Sequence, residues 1–285
     1  MPSVAHPLEF GTLDAEEIPA VVYLSRQAGW NVVEGDWRRL HANPHTTVLT
    51  GYIDEELVAT ASITWYGETL GWIGMVLVDD SWEGNGHGRA IFKQALEYAN
   101  DAPPGAVGLD ANDQSRSIYA DLGFVEITPI EHRVGTLSDG SLPASAKRIT
   151  RMEQDAAIAY DRQHLPIDRG ALLQQLLCET TTTGVIVEDG SIEGYAIARP
   201  GREHLHLGPI VATTADALRR LLDALGTILK GAPVVTDIVP TENTIAVFDA
   251  VGIEHERTLT RMGYRESHSI LTEHPIRSIA GFEWG

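Results

Sequence analysis

A glycine-rich loop is the part of this sequence whose residue types and spacing most directly indicate chemistry. The stretch SWEGNGHG, residues 81–88, lies between an apolar segment that ends at Val78 and a segment with helical apolar spacing that begins at Arg89. A loop that leads into a helix points backbone N–H groups at one place, where the helix dipole also attracts negative charge. Glycines allow a phosphate to approach the backbone closely. The loop therefore predicts binding of a phosphate-bearing ligand.

The loop differs from the two common nucleotide-binding motifs that it could represent. A P-loop requires Gly-Lys followed by Ser or Thr, and here Gly88 is followed by Arg89 and Ala90. A dinucleotide-binding domain opens with its glycine motif, whereas this loop follows two predicted helices and three strands with an antiparallel pattern. The context argues against both motifs, and a plain flexible turn remains the open alternative.

Candidate nucleophiles and metal ligands are few. His204 and His206 alternate along a predicted strand and so share a face, but two histidines without a third ligand do not predict a metal site. The chain has no G-x-S-x-G nucleophile elbow and no H-E-x-x-H helix. The single cysteine, Cys178, excludes an internal disulfide and is expected to lie in the core at the end of an apolar helix. We therefore predict no metal.

The loop belongs to a first half in which helices and strands alternate in a defined order. The apolar spacing predicts two helices, three strands, a helix, a strand, a helix and a strand. The third strand is continuously apolar, which is typical of a buried central strand. The predicted segments are helices over 14–29 and from 36 to 40, strands over 46–53, 57–66 and 70–78, a helix over 89–99, a strand over 107–111, a helix over 114–122 and a strand over 124–134.

The second half repeats this order without repeating the sequence. Residues 136–148 lack any period and contain Gly, Pro, Ser and Ala, so we predict a linker there between domains at 1–135 and 149–285. Each domain is expected to be α+β, with a mixed, mostly antiparallel sheet flanked by helices. The predicted segments are helices over 153–163 and 168–178, strands over 185–188, 192–199 and 205–211, a helix over 215–229, a strand over 234–239, a helix over 242–251 and a strand over 256–262.

The charge of the chain restricts its partners. Forty Asp and Glu against 21 Lys and Arg give a formal net charge of −19, which makes nucleic acid and anionic membranes poor partners. Only three of the cations are lysines, a balance that favours a halophilic protein in a salt-rich cytoplasm over an ordinary acidic enzyme. Residues 1–10 lack the basic start and apolar stretch of a signal peptide, and no long apolar run predicts a membrane span. A cytoplasmic location is expected.

Two stretches of the first half together resemble a known family. GMVLVDDSWEGNGHGRAIF is similar to the acetyl-CoA signature of the GNAT superfamily of N-acetyltransferases, and LDANDQSRSIYADLGF is similar to the second cofactor motif of that family. The segments around Trp30 and Trp37, with GYAIARPG, LGPIVA and TRM in the second half, resemble a two-domain subgroup with a degenerate second copy. The resemblance covers nearly the whole chain and implies tandem GNAT-like domains.

The resemblance implies roles for residues of both motifs. Backbone groups of the central strand would meet the pantetheine arm of acetyl-CoA, the loop would hold its pyrophosphate, and Asn112 would hydrogen-bond near its thiol end. Tyr119 would protonate the departing thiolate, because a phenol with a pKa near 10 keeps its proton at neutral pH. The implied cofactor-binding residues are Met75, Val76, Leu77, Val78, Gly84, Asn85, Gly86, His87, Gly88, Arg89 and Asn112.

One residue departs from the family pattern. The position that is usually Arg or Gln is Glu83, whose charge would oppose a pyrophosphate by about 1 kcal/mol in a screened setting if the side chain faced it. We expect Glu83 to point to solvent while backbone amides and Arg89 bind. The second half has VATTADALRR where the loop would be, so it is expected to bind no CoA and to form a wall of the acceptor site.

The acceptor is expected to be a primary amine of a small molecule, such as a polyamine, an amino sugar or an amino acid. Trp30, Glu34 and Asp36 are the candidate acceptor-site residues, and Glu34, Asp36, Asp79 and Asp80 are offered for a general base that the sequence does not single out. A protein lysine or N-terminus is the alternative acceptor, although a second domain over the site argues against the open groove it needs. A non-catalytic acyl-CoA sensor is the alternative from another class, and the presence of Tyr119 argues against it.

Overall fold

The computed structural model describes residues 7–100, 105–138, 142–265, 268–272 and 275–285. In the first half the elements are β1 (Glu9–Thr12), α1 (Ile18–Gln27), α2 (Glu34–Ala42), β2 (Thr46–Ile53), β3 (Glu56–Tyr66), β4 (Leu70–Val78), α3 (His87–Asn100), β5 (Ala106–Ala111), α4 (Asp113–Asp121) and β6 (Val125–Thr136). The second half has β7 (Ala146–Arg148), α5 (Arg151–His164), α6 (Gly170–Cys178), β8 (Thr183–Asp189), β9 (Ser191–Arg199), β10 (Leu205–Ala212), α7 (Ala215–Leu229), β11 (Pro233–Ile238), α8 (Glu242–Ala250), β12 (Ile253–Tyr264), α9 (His268–Thr272) and β13 (Ile276–Ser278).

The predicted order of elements and the mixed, mostly antiparallel sheets are confirmed in both halves. The sequence patterns did not predict β1, β7, α9 or β13, each of which has five residues or fewer and so too few positions to establish a period. The predicted linker over 136–148 is wrong in part, because its last three residues form β7 and pair with β8. Residues 139–141 of that linker, and residues 1–6 of the N-terminal stretch, lie outside the described residues.

The apolar faces of two long helices anchor the halves to the sheet. In α3 the predicted face is buried, with Ile91, Phe92 and Ala95 fully inaccessible beneath the sheet of the first half. In α7 the leucines at helical spacing, including Leu218 and Leu221, are buried in the same way in the second half. Burying a side chain of this size contributes roughly 1.5–3 kcal/mol. These helices fix where the strands that line the site must lie.

Strands β4 and β5 run parallel and then separate. Their pairing covers only Leu70 to Trp72 against Ala106 to Gly108, after which the two strands diverge. A β-bulge in β4 lies just beyond, where Met75 has a φ of 51° and the register with β3 shifts. Thr60 donates a hydrogen bond from its hydroxyl to the Met75 carbonyl at 2.8 Å, which holds the bulge. The result is a gap in the sheet beside an irregular strand edge.

The two halves exchange their last long strands. The order across the middle of the 13-stranded sheet is β5-β12-β6-β11, so β12 of the second half pairs with β5 of the first, and β6 of the first half pairs with β11 of the second. Register places Leu109 opposite Met262 and His132 opposite Asp237. In each half, the strand beside the second parallel strand therefore comes from the other half: β12 lies beside β5, and β6 lies beside β11. The sheet is continuous through both halves.

The corresponding gap in the second half is filled by the chain itself. β10 and β11 pair in parallel only at Leu205–Val234 and His206–Val235, and β13 then lies between them. β13 pairs antiparallel with both neighbours. The Ser278 hydroxyl donates to the Leu207 carbonyl at 2.9 Å and lies 2.7 Å from the Thr236 hydroxyl. The space between these two strands is thus closed by backbone and side-chain hydrogen bonds.

The segment 279–285 follows β13 back to the first half. Trp72 donates from its indole to the Phe282 carbonyl at 2.8 Å, and Tyr66 donates from its hydroxyl to the Trp284 carbonyl at 2.6 Å. Gly74 of β4 leaves no room for a side chain, because a Cβ there would lie 2.9 Å from Glu283 Cα and 2.9 Å from the Phe282 carbonyl oxygen. A glycine in the central strand is therefore what admits this segment.

None of the helices in the described ranges combines the length and the apolar content that a membrane span requires.

The strand exchange predicts how fragments of the chain behave. A fragment of residues 1–138 lacks the strand that separates β5 from β6, so we expect that neither it nor a fragment of residues 142–285 folds stably alone. Co-expressed, the two should form a one-to-one complex that elutes with the intact chain in size-exclusion chromatography. A fragment 1–138 that unfolds cooperatively by itself at the melting temperature of the whole chain would contradict this expectation.

Candidate active site

A cavity of about 460 Å³ lies between the two halves, beside the gap between β4 and β5. Strands and loops of both halves line it. From the predicted site it brings together Trp30, Asp36, Met75, Val76, Asn112 and Tyr119, and from the second half Arg199, His206, Asp237, Arg257 and Glu283. Polar and ionisable groups thus converge on one cavity at a domain junction, which is where small-molecule sites usually form.

A larger groove of about 810 Å³ lies elsewhere on the molecule, between β3 and the helices α5 and α6. It contains none of the predicted site residues, so its size does not make it the better candidate. Cys178 lines this groove and is exposed, which overturns the expectation that it lies in the core. The buried face of α6 consists of Leu172, Leu173 and Leu176 instead.

The bulge at Met75 opens a strand edge toward the cavity. Pairing between β4 and β5 stops at Trp72, so the edge of Met75, Val76, Leu77 and Val78 that faces β5 is not used in a ladder. On the other edge, pairing with β3 resumes at Leu77 and Val78. Backbone N–H and C=O groups on the free edge can therefore serve an extended ligand that lies in the gap.

The glycine-rich loop is exposed and has room in front of it. Gly84 and Gly86 have φ of 74° and 87°, and a Cβ at either position would meet no atom within 4 Å. The first amides of α3, from His87 onward, have no acceptor within their own helix. Asn85 holds the loop by donating from its side-chain amide to the Trp82 and Glu83 carbonyls, both at 3.1 Å.

The charged residues of the loop, Glu83 and Arg89, do not occupy the open space in front of Gly84 and Gly86. Gly88 lies beside β4: a Cβ there would be 3.5 Å from the Val78 side chain, an ordinary contact distance. Arg89 lies 3.2 Å from Asp121 of α4 in an ion pair that is about half exposed. Glu83 is exposed, as expected for a side chain that must not face a phosphate.

Asn112 caps the helix α4. Its side-chain carbonyl accepts from the Ser115 amide at 2.9 Å and from the Ser115 hydroxyl at 2.9 Å. The cap fixes the orientation of the side chain at the mouth of the cavity. Because the carbonyl is already engaged, a ligand would meet the donor end of Asn112.

Tyr119 points from α4 into the cavity wall. Its ring lies 4.3 Å from the ring of Phe92, and 7% of the residue is exposed. Burial raises the pKa of the Tyr119 phenol to about 12, although the Ser115 hydroxyl lowers it. The phenol is therefore protonated at neutral pH and can donate a hydrogen bond.

The predicted acceptor residues separate into two groups. Trp30 and Asp36 line the cavity, whereas Glu34 is exposed and forms an ion pair with Arg38 on the surface of α2. Asp36 is buried, and both of its oxygens are used: Oδ2 accepts from the Val33 amide, while Oδ1 accepts from Arg39 and Arg199. Asp79 and Asp80 lie at a short turn after β4, where Asp79 accepts from the Ser81 amide at 2.9 Å.

Both halves contribute to a buried cluster that the sequence did not predict. Arg199 of β9 donates to Glu283 Oε1 at 2.8 Å and to the Ala280 carbonyl at 2.7 Å. His132 of β6 donates from Nδ1 to Asp237 Oδ1 at 2.6 Å, a pair that the β6–β11 register creates. The strand exchange creates the His132–Asp237 pair, whereas Arg199 and Glu283 meet within the second half.

His206 is a further member of this cluster. Burial, together with the nearby Arg199 and His132, lowers the pKa of His206 well below its ordinary value, so the ring is neutral at pH 7. In the described part of the chain its Nε2 has no hydrogen-bond partner. One available signal for the cluster was the apolar-acidic stretch Phe282-Glu283-Trp284, which has the composition of a buried segment but no period.

Comparison with known proteins identifies both halves. The family described as "Acetyltransferase (GNAT) family" matches residues 16–124, and a family described as "Acetyltransferase (GNAT) domain" matches residues 157–275. Together the two matches cover most of the chain. The chain belongs to the GNAT acetyltransferase family. It is a tandem GNAT protein and an acyltransferase.

The similarity of this GNAT protein to its relatives extends over both halves. Holothin acyltransferase of Pseudoalteromonas sp. (strain SANK 73390) is 25% identical over 261 residues, which are 90% of this chain and 87% of that protein. The crystal structure of a candidate acetyltransferase from Pyrococcus horikoshii has a TM-score of 0.83 at 16% identity and covers 98% of this chain and 96% of the other. A tandem GNAT protein from the clavulanic acid biosynthesis pathway has a TM-score of 0.63 at 16% identity, with 90% and 98% covered.

The family matches of this GNAT chain do not include its C-terminal segment. The second match ends at residue 275, before β13 and the segment 279–285 that packs against β4. Within the ranges that the structure describes, no cluster of three or more His, Cys, Asp or Glu side chains is arranged to hold a metal ion.

Proposed function

We propose that this protein transfers an acetyl group from acetyl-CoA to a primary amine of a small molecule by direct attack of the amine. The observation that carries the proposal is the shared cavity: its lining combines Met75 of the free strand edge, Asn112 and Tyr119 with a second group, the buried ionic residues Arg199, Asp237 and Glu283. The first group suits a thioester, and the second suits a polar acceptor.

The residues of the first half fit a CoA ester. The space in front of Gly84 and Gly86 and the first amides of α3 suit a pyrophosphate, and the free edge from Met75 to Val78 suits the amide groups of a pantetheine arm. Bound acetyl-CoA would supply the thioester carbonyl carbon that the amine attacks. Tyr119 would donate its phenolic hydrogen to the sulfur as negative charge develops there.

We further propose that the second half is a degenerate copy that holds no cofactor. Its helix α7 begins directly after β10, and Thr214 caps it by accepting from the Ala217 amide at 3.0 Å. The gap between β10 and β11, where a pantetheine arm would lie, is filled by β13. The second half instead supplies Arg199, His206 and Asp237 to the acceptor side of the cavity. An enclosed wall of this kind favours a small acceptor over a protein side chain.

The function is tested by release of free CoA thiol from acetyl-CoA with spermidine, glucosamine, L-lysine and a lysine-containing peptide. We expect release above the amine-free background with at least one of the three small amines. Because Cys178 is exposed and would react with thiol reagents, the assay uses the Cys178→Ser variant in parallel. Acetyl-CoA binding without release for any amine would favour the sensor, and release with the peptide alone would favour a protein acceptor.

The loop provides a test of cofactor binding. Gly86→Val places a side chain in the open space before α3 and should abolish acetyl-CoA binding in calorimetry. Gly190→Val is a matched control, since Gly190 has a φ of 72° and open surroundings on the β8–β9 turn, so it imposes the same backbone strain away from the cavity. Equal affinity in Gly86→Val and wild type would rule out the loop as the phosphate site.

Tyr119 provides a test of its catalytic role. Tyr119→Phe keeps the ring against Phe92 and removes only the donor, so kcat should fall about 10²- to 10⁴-fold while acetyl-CoA affinity and melting temperature change little. Tyr98→Phe removes an exposed phenol from α3 and should leave kcat unchanged. A lowered melting temperature with normal kcat in Tyr119→Phe would instead make Tyr119 a packing residue.

A further inference from the structure

Glu283 occupies the place that a side chain of the central strand would otherwise fill. Its Cα lies 2.9 Å from the position of a Cβ on Gly74, the residue immediately before the bulge at Met75. The Glu283 side chain is nine-tenths buried and lines the same cavity as Met75 and Tyr119. The segment 279–285 therefore brings a carboxylate into the cavity directly beside β4.

The other buried carboxylates of the cavity are already engaged. Asp36 uses both oxygens, and Asp110 accepts from Arg261 at 2.9 Å on each oxygen. Asp237 uses Oδ1 to pair with His132, so it is the one other buried carboxylate of the described cavity lining that is held through a single oxygen. Glu283 accepts from Arg199 on Oε1. The carboxylate lies against the backbone at Gly281, where a Cβ would be 2.5 Å from Oε2, and an oxygen without a side-chain donor keeps lone pairs that can accept a proton.

Arg199 holds the Glu283 side chain in place, and the pKa of the Glu283 carboxyl is nevertheless raised. The guanidinium of Arg199 donates to the Gly208 and Ala280 carbonyls as well as to Glu283, so it ties the segment 279–285 to β10. Burial raises the pKa of the Glu283 carboxyl although Arg199 lowers it, and the charge of Asp36 raises it further. Glu283 is thus held in place and has a greater affinity for a proton than an exposed glutamate.

His206 shows that the cluster is built to receive a polar group. His206 lines the cavity, and its Nε2 is buried against Gly208, where a Cβ would lie 2.8 Å from it, with no hydrogen-bond partner of normal geometry among the described residues. A buried polar atom without a hydrogen bond costs about 1–3 kcal/mol, a cost that a bound acceptor with a polar group would offset. The acceptor would then lie between His206 and Glu283, next to the bulge.

We propose that Glu283 is the general base that takes the proton from the acceptor amine. The inference rests on the proposed acetyl transfer. The ammonium of the acceptor gives one proton to the Glu283 carboxylate, and the nitrogen lone pair forms the C–N bond with the thioester carbonyl carbon. The C–S bond breaks with its electron pair on sulfur, which takes the Tyr119 proton. The second nitrogen proton restores the phenol through water, and the proton on Glu283 passes to solvent.

This role has a defined dependence on pH. The charged and titratable groups that act on Glu283 are Asp36 and Arg39 from α2, Arg199 from β9 and Tyr66 from β3. His206, Arg257 and the His132–Asp237 pair line the same cavity. At a pH where an exposed glutamate is already ionised, a carboxyl group with a raised pKa is still protonated. In that state it cannot accept a proton from the amine. The rate should therefore fall on the acid side, with a midpoint above that of an ordinary glutamate.

The test measures kcat from pH 5 to pH 9 at saturating acetyl-CoA, with whichever of spermidine, glucosamine or L-lysine the wild type acetylates fastest. Glu283→Gln should lower kcat at pH 7 about 10²- to 10⁴-fold, remove the acid-side fall and recover partly at pH 9, where more of the amine is already deprotonated. Glu283→Asp keeps the charge but withdraws it by one methylene, so it should lower kcat and retain the acid-side fall.

Two controls distinguish this role from a structural one. Glu254→Gln removes an exposed carboxylate of β12 and should leave kcat and the pH profile unchanged. Infrared difference spectra of wild type minus Glu283→Gln should contain a protonated-carboxyl band that disappears as pH rises, with or without acetyl-CoA. Melting temperature and acetyl-CoA affinity are measured on the same preparations, so that loss of fold is recognised.

Several outcomes would overturn the inference. One is an unchanged pH profile in folded Glu283→Gln. Another is loss of the acid-side fall in His132→Asn while Glu283→Gln retains that fall, a result that would make the His132–Asp237 pair the base. If Glu283→Gln does not fold, a normal kcat in Glu283→Asp overturns it. A wild type that releases no CoA with any amine removes the proposed function and this inference together, whereas a normal wild type with a normal Glu283→Gln removes the inference alone.

Discussion

The ladder of four strands at the middle of the sheet is the interaction on which the rest of the molecule depends. Neither half completes its own sheet, because the strand beside β5 comes from the second half and the strand beside β11 comes from the first. Side chains reinforce this seam: Arg261 of β12 binds Asp110 of β5 through both oxygens and lies over the ring of Trp72 at 4.7 Å. The position of the cavity follows, since its walls are defined by strands that cross from one half to the other.

The gap between the two parallel strands differs between the two halves of the chain. In the first half the gap between the parallel strands stays open and meets a loop with space before it, whereas in the second half the corresponding gap contains β13. The segment that follows β13 then returns to β4 and presents Glu283 beside the bulge. A single stretch of chain thus closes the gap of the second half and forms part of the cavity wall beside the gap of the first.

Much of the fold could be predicted from the sequence, because periodic apolar patterns are local. The face of α3 with Ile91 and Phe92 and the continuous apolar run of β4 gave the correct elements, and the glycine loop was placed correctly between them. The strand exchange could not be predicted, since both halves carry strands of the right length and no residue pattern states which neighbour each strand takes. Glu34 and Asp36 show why the site could be predicted only in part. They are two residues apart, yet Glu34 is exposed and Asp36 is buried against Arg199 of the second half.

Because of the strand exchange, β5 is synthesised well before β12, the strand that covers its edge. Asp110 and its partner Arg261 are 151 residues apart, so β5 is made long before the strand that must cover its edge. At a synthesis rate of about 5–20 residues per second, that edge waits roughly 8–30 s for β12 to emerge. An uncovered strand edge is a template for pairing with other chains. The nascent first half therefore carries an aggregation hazard that the finished protein does not, and the dense negative charge of the chain, −19 overall, opposes such association during the wait.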